Sequence, residues 1–161
     1  EDGGSYFFTQ HEGLVDTRGA ELNLIFGFGE WRYFLGYTFV DARQDTEQGR
    51  MDLPLVSRHR FNQVLVWEKE DDFRIGLEAY YFSAQQREND SSGKSYWVFG
   101  LMTEKKLSES VTAFLNFENY TDTRQTDFEN INNGDLISPD FRDIYAPLDG
   151  FVINGGVRVR W

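Results

Sequence analysis

Phe151-Val-Ile-Asn-Gly-Gly-Val-Arg-Val-Arg-Trp161 closes the chain, and its two alternate sets of residues differ sharply. One set is Phe151, Ile153, Gly155, Val157, Val159 and Trp161; the other is Val152, Asn154, Gly156, Arg158 and Arg160. Successive side chains of a strand point to opposite sides, so the stretch predicts a strand with one apolar face and one mostly polar face. It also ends on a bare aromatic residue. A transmembrane β-barrel closes with such a strand and sets its aromatic end at the membrane boundary.

The same alternation recurs upstream. Residues 5–11 predict a short first strand rising to a turn near Glu12-Gly13. Residues 18–28 set Leu22, Leu24, Phe26 and Phe28 against Glu21, Asn23 and Ile25, and Gly27-Phe28-Gly29-Glu30 supplies a tight turn. Residues 31–42 follow as a third strand whose inward face is undecided, because Tyr33, Phe34, Leu35, Tyr37 and Phe39 leave both sides partly apolar. Further strands are predicted over 58–68, 73–82, 95–105 and 111–118, which with the closing strand makes about eight. Connections near 27–30, 69–72 and 106–110 are tight, whereas 43–57, 85–94 and 121–149 are long and polar. That strict alternation matches short periplasmic turns and long external loops, and nothing in a β-sandwich demands it. Trp31, Trp67, Phe73 and Trp161 fall near the short-turn ends, and Tyr81, Tyr96, Trp97, Tyr120 and Phe151 near the long-loop ends. Two aromatic belts suit two membrane interfaces.

Composition agrees with this class. The 161 residues include 15 Phe, 8 Tyr, 4 Trp and 15 Gly, and no Cys, which removes disulfide and thiol chemistry. With 27 Asp and Glu against 16 Lys and Arg the formal charge is −11, a field that repels phosphate backbones and argues against nucleic-acid binding. No apolar run approaches the ~18 residues of a membrane helix, a test that membrane strands escape. The opening Glu1-Asp2-Gly3-Gly4 carries no initiator Met and no signal-peptide pattern, so a mature chain or a fragment is expected.

Five segments, in order, resemble one known family. Arg18-Gly-Ala-Glu-Leu22, Leu35-Gly-Tyr-Thr-Phe-Val-Asp-Ala42, Leu53-Pro-Leu-Val-Ser-Arg-His-Arg-Phe-Asn62, Asn116-Phe-Glu-Asn-Tyr-Thr-Asp-Thr-Arg-Gln125 and Tyr145-Ala-Pro-Leu-Asp-Gly150 are similar to stretches of the TonB-dependent outer-membrane receptors. The resemblance covers essentially the whole chain. It implies an all-β fold of antiparallel transmembrane strands forming the last part of a 22-stranded barrel. It also implies TonB-energised uptake of a siderophore, haem, cobalamin or glycan, in the outer membrane of a Gram-negative bacterium. The implied partners are outer-membrane lipid, the plug and preceding strands of the receptor, TonB through an amino-terminal part, and the barrel-assembly machinery. No plug domain or TonB-contacting box is recognisable here, and the last residue is Trp where the family more often has Phe.

Under this reading Asn116, Glu118, Asn154, Arg158 and Arg160 are candidates for the barrel lumen, and antiparallel pairing is expected to set Glu118 opposite an Arg. Family resemblance further implies that Phe151, Ile153, Val157, Val159 and Trp161 carry the barrel-assembly signal. The 121–149 segment holds Asp122, Asp127, Glu129, Asp135, Asp140, Asp143 and Asp149 against Arg124 and Arg142. Without Asp-x-Asp-x-Asp-Gly spacing it reads as a solvated external loop rather than a calcium site, and its length makes it a candidate for ligand gating. His11 and His59 lie too far apart in sequence to suggest a zinc site. No Gly-x-Ser-x-Gly or Cys nucleophile exists, and neither Glu78 nor Glu104 has a partner that spacing identifies, so no enzyme, cofactor or metal site is expected. The rival readings are a self-contained eight-stranded barrel with a structural or adhesive role and a soluble β-domain that binds a ligand.

Overall fold

The computed structural model describes residues 13–47, 49–88 and 91–161. The expected strand at 5–11, the turn at Glu12 and His11 lie outside them. The described strands are β1 (Val15–Phe28), β2 (Trp31–Thr46), β3 (Gly49–Asp52), β4 (His59–Lys69), β5 (Phe73–Phe82), β6 (Tyr96–Lys106), β7 (Val111–Glu118) and β8 (Val152–Val159). Every pairing is antiparallel, in the order β1-β2-β4-β5-β6-β7-β8, with β3 attached to the far end of β2. One 3₁₀ turn, Gln125–Asp127, interrupts the last loop.

Turn chemistry fixes the short connections. Phe28 pairs with Trp31 across Gly29-Glu30, and Gly29 takes φ 61°, the positive angle that the first position of a two-residue hairpin turn favours. The next turn holds Asp71 at φ 58° and is tied to the neighbouring strand by ion pairs of Asp71 with Lys106 and Asp72 with Lys105. Alternation of short turns and long loops holds along the sheet. One expectation needs correction: residues 43–57 are not simply a loop. β2 runs on to Thr46 and turns back as β3, because Arg43, Asp45, Arg50 and Asp52 can pair across a ladder that stands clear of the apolar band.

Register resolves the face left open on β2. Tyr33, Leu35, Tyr37 and Phe39 lie in rows with Leu22, Leu24 and Phe26 on β1 and with Phe61 and Leu65 on β4. The rows continue through Ile75, Leu77, Leu101, Leu115, Ile153 and Val157, giving an apolar face across seven strands. Two polar residues within it are internally satisfied: Tyr33 Oη donates to Gln63 Oε1 (2.8 Å), and Thr103 Oγ1 donates to the Leu115 carbonyl (2.7 Å). A hydrocarbon environment requires that, since it offers no partners.

No second layer covers this face. Among the described residues only Ala42, Tyr96, Tyr145 and Ala146 are buried apolar residues, whereas Leu22, Phe26, Leu77, Ile153 and Val157 are 48–63% or so exposed, at 51%, 49%, 48%, 56% and 63%. A soluble domain of this size buries such residues in a core. The soluble reading therefore conflicts with the packing.

Aromatic rings rim the apolar face. At the short-turn end Trp31 stacks on Trp67 (5.6 Å), and Trp67 meets Phe73 edge-on (4.7 Å). Towards the long loops, contacts run from Tyr37 to Phe61, Tyr81, Trp97, Phe99 and Tyr120 across four strands and the loop that follows β7. Trp31 and Phe39 are eight residues apart, about 27 Å of strand; tilted by ~40°, that rises about 20 Å, close to the ~25 Å apolar band of an outer-membrane barrel. Tyr96 does not belong to the belt where it was expected. Its register with Phe82 turns it to the opposite, polar face, where it is buried under the loops.

Candidate functional site

Charged and amide side chains converge on the polar face and under the loops folded over it. Near the short turns, Arg74 on β5 pairs with Glu68 on β4 (2.5 Å), which Arg32 on β2 also approaches (3.6 Å). Arg158 on β8 reaches Glu104 on β6 (3.6 Å) across β7. Arg32, Glu68, Arg74, Glu104 and Arg158 thus alternate in sign across the sheet. Arg160 follows just past β8, its backbone N–H donating to the Ser110 carbonyl.

Midway up, the polar residues are amides and carboxylates. Asn116 Nδ2 donates to Asn154 Oδ1 (3.0 Å), and Asn154 Nδ2 donates to Glu118 Oε1 (2.5 Å). On β5, Tyr80 Oη donates to Glu78 Oε2 (3.0 Å). Gly100 leaves room beside Glu78, whose Oε2 would stand 3.1 Å from any Cβ added there. A cleft of about 350 Å³ opens here, lined among others by Glu78, Tyr80, Gly100, Asn116 and Glu118.

Asn116, Glu118, Asn154 and Arg158 therefore share a face, but the expected opposition of Glu118 and an Arg is not formed. Glu118 pairs with Val152, and Arg158 pairs with Thr112. β7 rises while β8 descends, so the six residues from 112 to 118 put Glu118 about 20 Å of strand away from Arg158. Glu104 is the actual partner of Arg158. Sequence alone could place both on polar faces, but only the β6–β7–β8 register brings them within two residues of the same level, where they meet diagonally across β7.

At the long-loop end, residues 83–88, 91–95 and 119–151 fold over the polar face. Tyr145 and Ala146 pack on Tyr96, with Phe82 and Val98 beside them. Tyr96 Oη (2.9 Å) and Gln85 Nε2 (3.1 Å) both donate to the Tyr145 carbonyl. Gln125, 0% exposed, bolts the loop to itself: its Nε2 donates to the Asp143 carbonyl, and its Oε1 accepts from the N–H groups of Tyr145 and Ala146. Glu129 joins the two loops by pairing with Arg87 (2.7 Å) and Arg142 (2.8 Å). Burial pushes the Glu129 carboxyl up, but the hydrogen bonds and charges of Arg142 and Arg87 outweigh it and hold the group below the ordinary carboxylate range.

Much of the loop's acidity is thus committed to local structure rather than left to solvent. Asp122 is held below its ordinary range by hydrogen bonds from the Arg124 side chain and the Phe151 N–H. Asp143 accepts from the Glu88 N–H, and Asp135 caps Ile137 and Ser138. No cluster of three metal-ligating side chains occurs among the described residues. His59 sits in the aromatic belt, its Nδ1 2.8 Å from Tyr37 Oη. Gln125 and Tyr145 carry no motif of their own, and the resemblance of their segments to family stretches was the one signal that pointed to them.

A one-layer antiparallel sheet with a belted apolar face, a polar face, and long loops folded over the polar side is the wall of a transmembrane β-barrel. The chain belongs to the family described as TonB dependent receptor-like, beta-barrel, whose model matches residues 1–120. That family is found in Gram-negative outer membranes, and its members are transporters rather than enzymes. Among solved structures, the fold is similar to the closed form of the ferric-catecholate import receptor Fiu from K12 E. coli, with a TM-score of 0.64 and 18% identity. That similarity covers 98% of this chain and 22% of the receptor, so the chain spans about a fifth of the receptor's length.

Proposed function

We propose that this chain forms the last part of a 22-stranded barrel, in an outer-membrane receptor that takes up a scarce nutrient with energy delivered through TonB. The observation that carries this reading is the two-faced sheet: an uncovered apolar face for lipid, and a polar face roofed by long loops. In this reading Asn116, Glu118, Asn154, Arg158 and Arg160 line the lumen and meet the plug. β8 closes the barrel onto its first strand, and Phe151, Ile153, Val157, Val159 and Trp161 present the signal read by the barrel-assembly machinery. β1 and β8 do not pair with each other among the described strands, so no observation favours the self-contained eight-stranded barrel.

Siderophores, haem, cobalamin and glycans are the ligand classes of such receptors. A ferric-catecholate complex ranks first because the receptor of similar fold imports one. The test is uptake of labelled ferric catecholate, haem, cobalamin and oligosaccharide by cells with and without the receptor that contains this chain, in TonB-positive and TonB-negative backgrounds. Uptake of one ligand that needs both receptor and TonB is expected. Receptor-dependent uptake that persists without TonB would overturn the reading.

A further inference from the structure

Where the two roof loops meet, the hydrogen bonding is incomplete. Arg87 comes from the first loop, and Glu129 and Tyr145 come from the second. All three are enclosed, Arg87 and Tyr145 being 8% and 6% exposed and the Glu129 side chain 11%. Among the described residues, four buried side-chain atoms have no hydrogen-bond partner, and three of them meet at this joint: Arg87 Nε, Glu129 Oε1 and Tyr145 Oη. Buried polar atoms almost always have a partner, either a protein group or an ordered water, because an unpaired one has given up its hydration for nothing.

The surrounding contacts explain why these atoms stay open. The Nε and Nη2 edge of a guanidinium is a fork that a carboxylate fills with both oxygens. Glu129 offers that edge only Oε1, 2.7 Å from Nη2 and off the line of the N–H, because Oε2 accepts from Arg142 Nη1 at 2.8 Å. Tyr145 is fixed in place as well. Its carbonyl accepts from Gln85 and Tyr96, and the Gly93 backbone lies so near its ring that a Cβ there would come within 2.9 Å. Arg87 stands over the same ring, its guanidinium carbon 5.1 Å from the ring centre. A phenol oxygen sits about 3 Å from its own ring centre, which puts Oη about 6 Å from that carbon, the span of one water making two hydrogen bonds of about 2.9 Å.

The three open atoms also define what fits between them. Arg87 Nε only donates, Glu129 Oε1 only accepts, and Tyr145 Oη does either. A halide would suit the two donors but would face the Glu129 carboxylate, and a metal cation would face Arg87 and Arg142. A small neutral group that donates and accepts answers all three. We infer that one ordered water is held here, accepting from Arg87 Nε and Tyr145 Oη and donating to Glu129 Oε1, three bonds being the usual complement of a buried water. The two loops then meet through a water, whereas Gln125 bolts the longer one to itself by direct bonds. This holds whichever ligand the receptor imports.

The test uses the whole receptor that contains this chain, purified in detergent. A structure at about 2 Å or better is expected to show one water-sized density peak within about 3.2 Å of Arg87 Nε, Glu129 Oε1 and Tyr145 Oη. No peak there, or direct pairing of these atoms with one another, overturns the inference. An anomalous peak at that place after chloride is exchanged for bromide makes it an anion site and overturns it too. A second readout is limited proteolysis of residues 119–151. Tyr145→Phe keeps the ring and removes the hydroxyl, so with the water held the variant loses a hydrogen bond and cleavage rises about fivefold, whereas removing a hydroxyl without a partner leaves cleavage unchanged or slows it. Unchanged or slower cleavage therefore overturns the inference. The density measurement needs no substitution and decides the matter even where the variant receptor fails to assemble.

Discussion

Gln125 holds three backbone groups of the last loop with one fully buried side chain. Its removal strands the Tyr145 and Ala146 N–H groups and the Asp143 carbonyl in a site without solvent, at about 1–3 kcal/mol for each group left unpaired. Gln125→Ala should therefore open residues 119–151 to limited proteolysis while leaving the strands protected. Gly150 is similarly constrained, because a Cβ there would collide with Asp122 and Arg124. Gly150→Ala should break the Asp122 contact with the Phe151 N–H and loosen the entry into β8, measurable as faster amide exchange at Phe151. Glu129 gives the loop clamp a pH dependence. Its folded value is lowered, so its stabilisation is present at neutral pH, begins to fade as pH falls below the ordinary value of 4.5, and is lost on passing the lower folded value. Loop cleavage by an acid-tolerant protease should rise over that acid window, and Glu129→Gln should show the loosened state already at neutral pH.

At the level of elements, β8 contrasts its two faces within one strand. Val157 lies on the apolar face and Arg158 on the polar face. Val157→Arg places a charge towards lipid and should destabilise the assembled barrel by about 2 kcal/mol or more, read by urea unfolding in lipid. Arg158→Val gives up only a 3.6 Å, half-exposed pairing with Glu104 and should cost less than about 1 kcal/mol. Equal effects would contradict the assignment of faces. Trp161→Asp tests the assembly role separately: membrane insertion should fall while synthesis is unchanged. The loops form elements in their own right. Because Glu129 and Tyr145 join the 119–151 loop to Arg87 and Gln85, while Gln125 ties that loop to itself, gating by wholesale movement of the longest loop would have to break that clamp. The tip beyond it is the freer part, with Leu136 99% and Ile137 95% exposed.

The described residues form a one-layer wall with a small core under its loops and an apolar face that no second layer covers. Its strand alternation, its turn chemistry and its alternating loop lengths were all legible in the residues, because side-chain direction repeats every two positions and tight turns demand Gly or Asp at particular angles. Those local rules determined the fold class, most strand limits, and which residues of β8 share a face. They could not determine partners across strands. Whether Glu118 or Glu104 meets Arg158 depends on register, and whether Tyr96 joins the belt or the loop core depends on which neighbour it pairs with. The undecided face of β2, the short β3 and the Gln125 bolt have the same origin. Each is made of residues far apart in sequence, brought together by backbone ladders whose offset no local pattern records, so only the tertiary structure decided them.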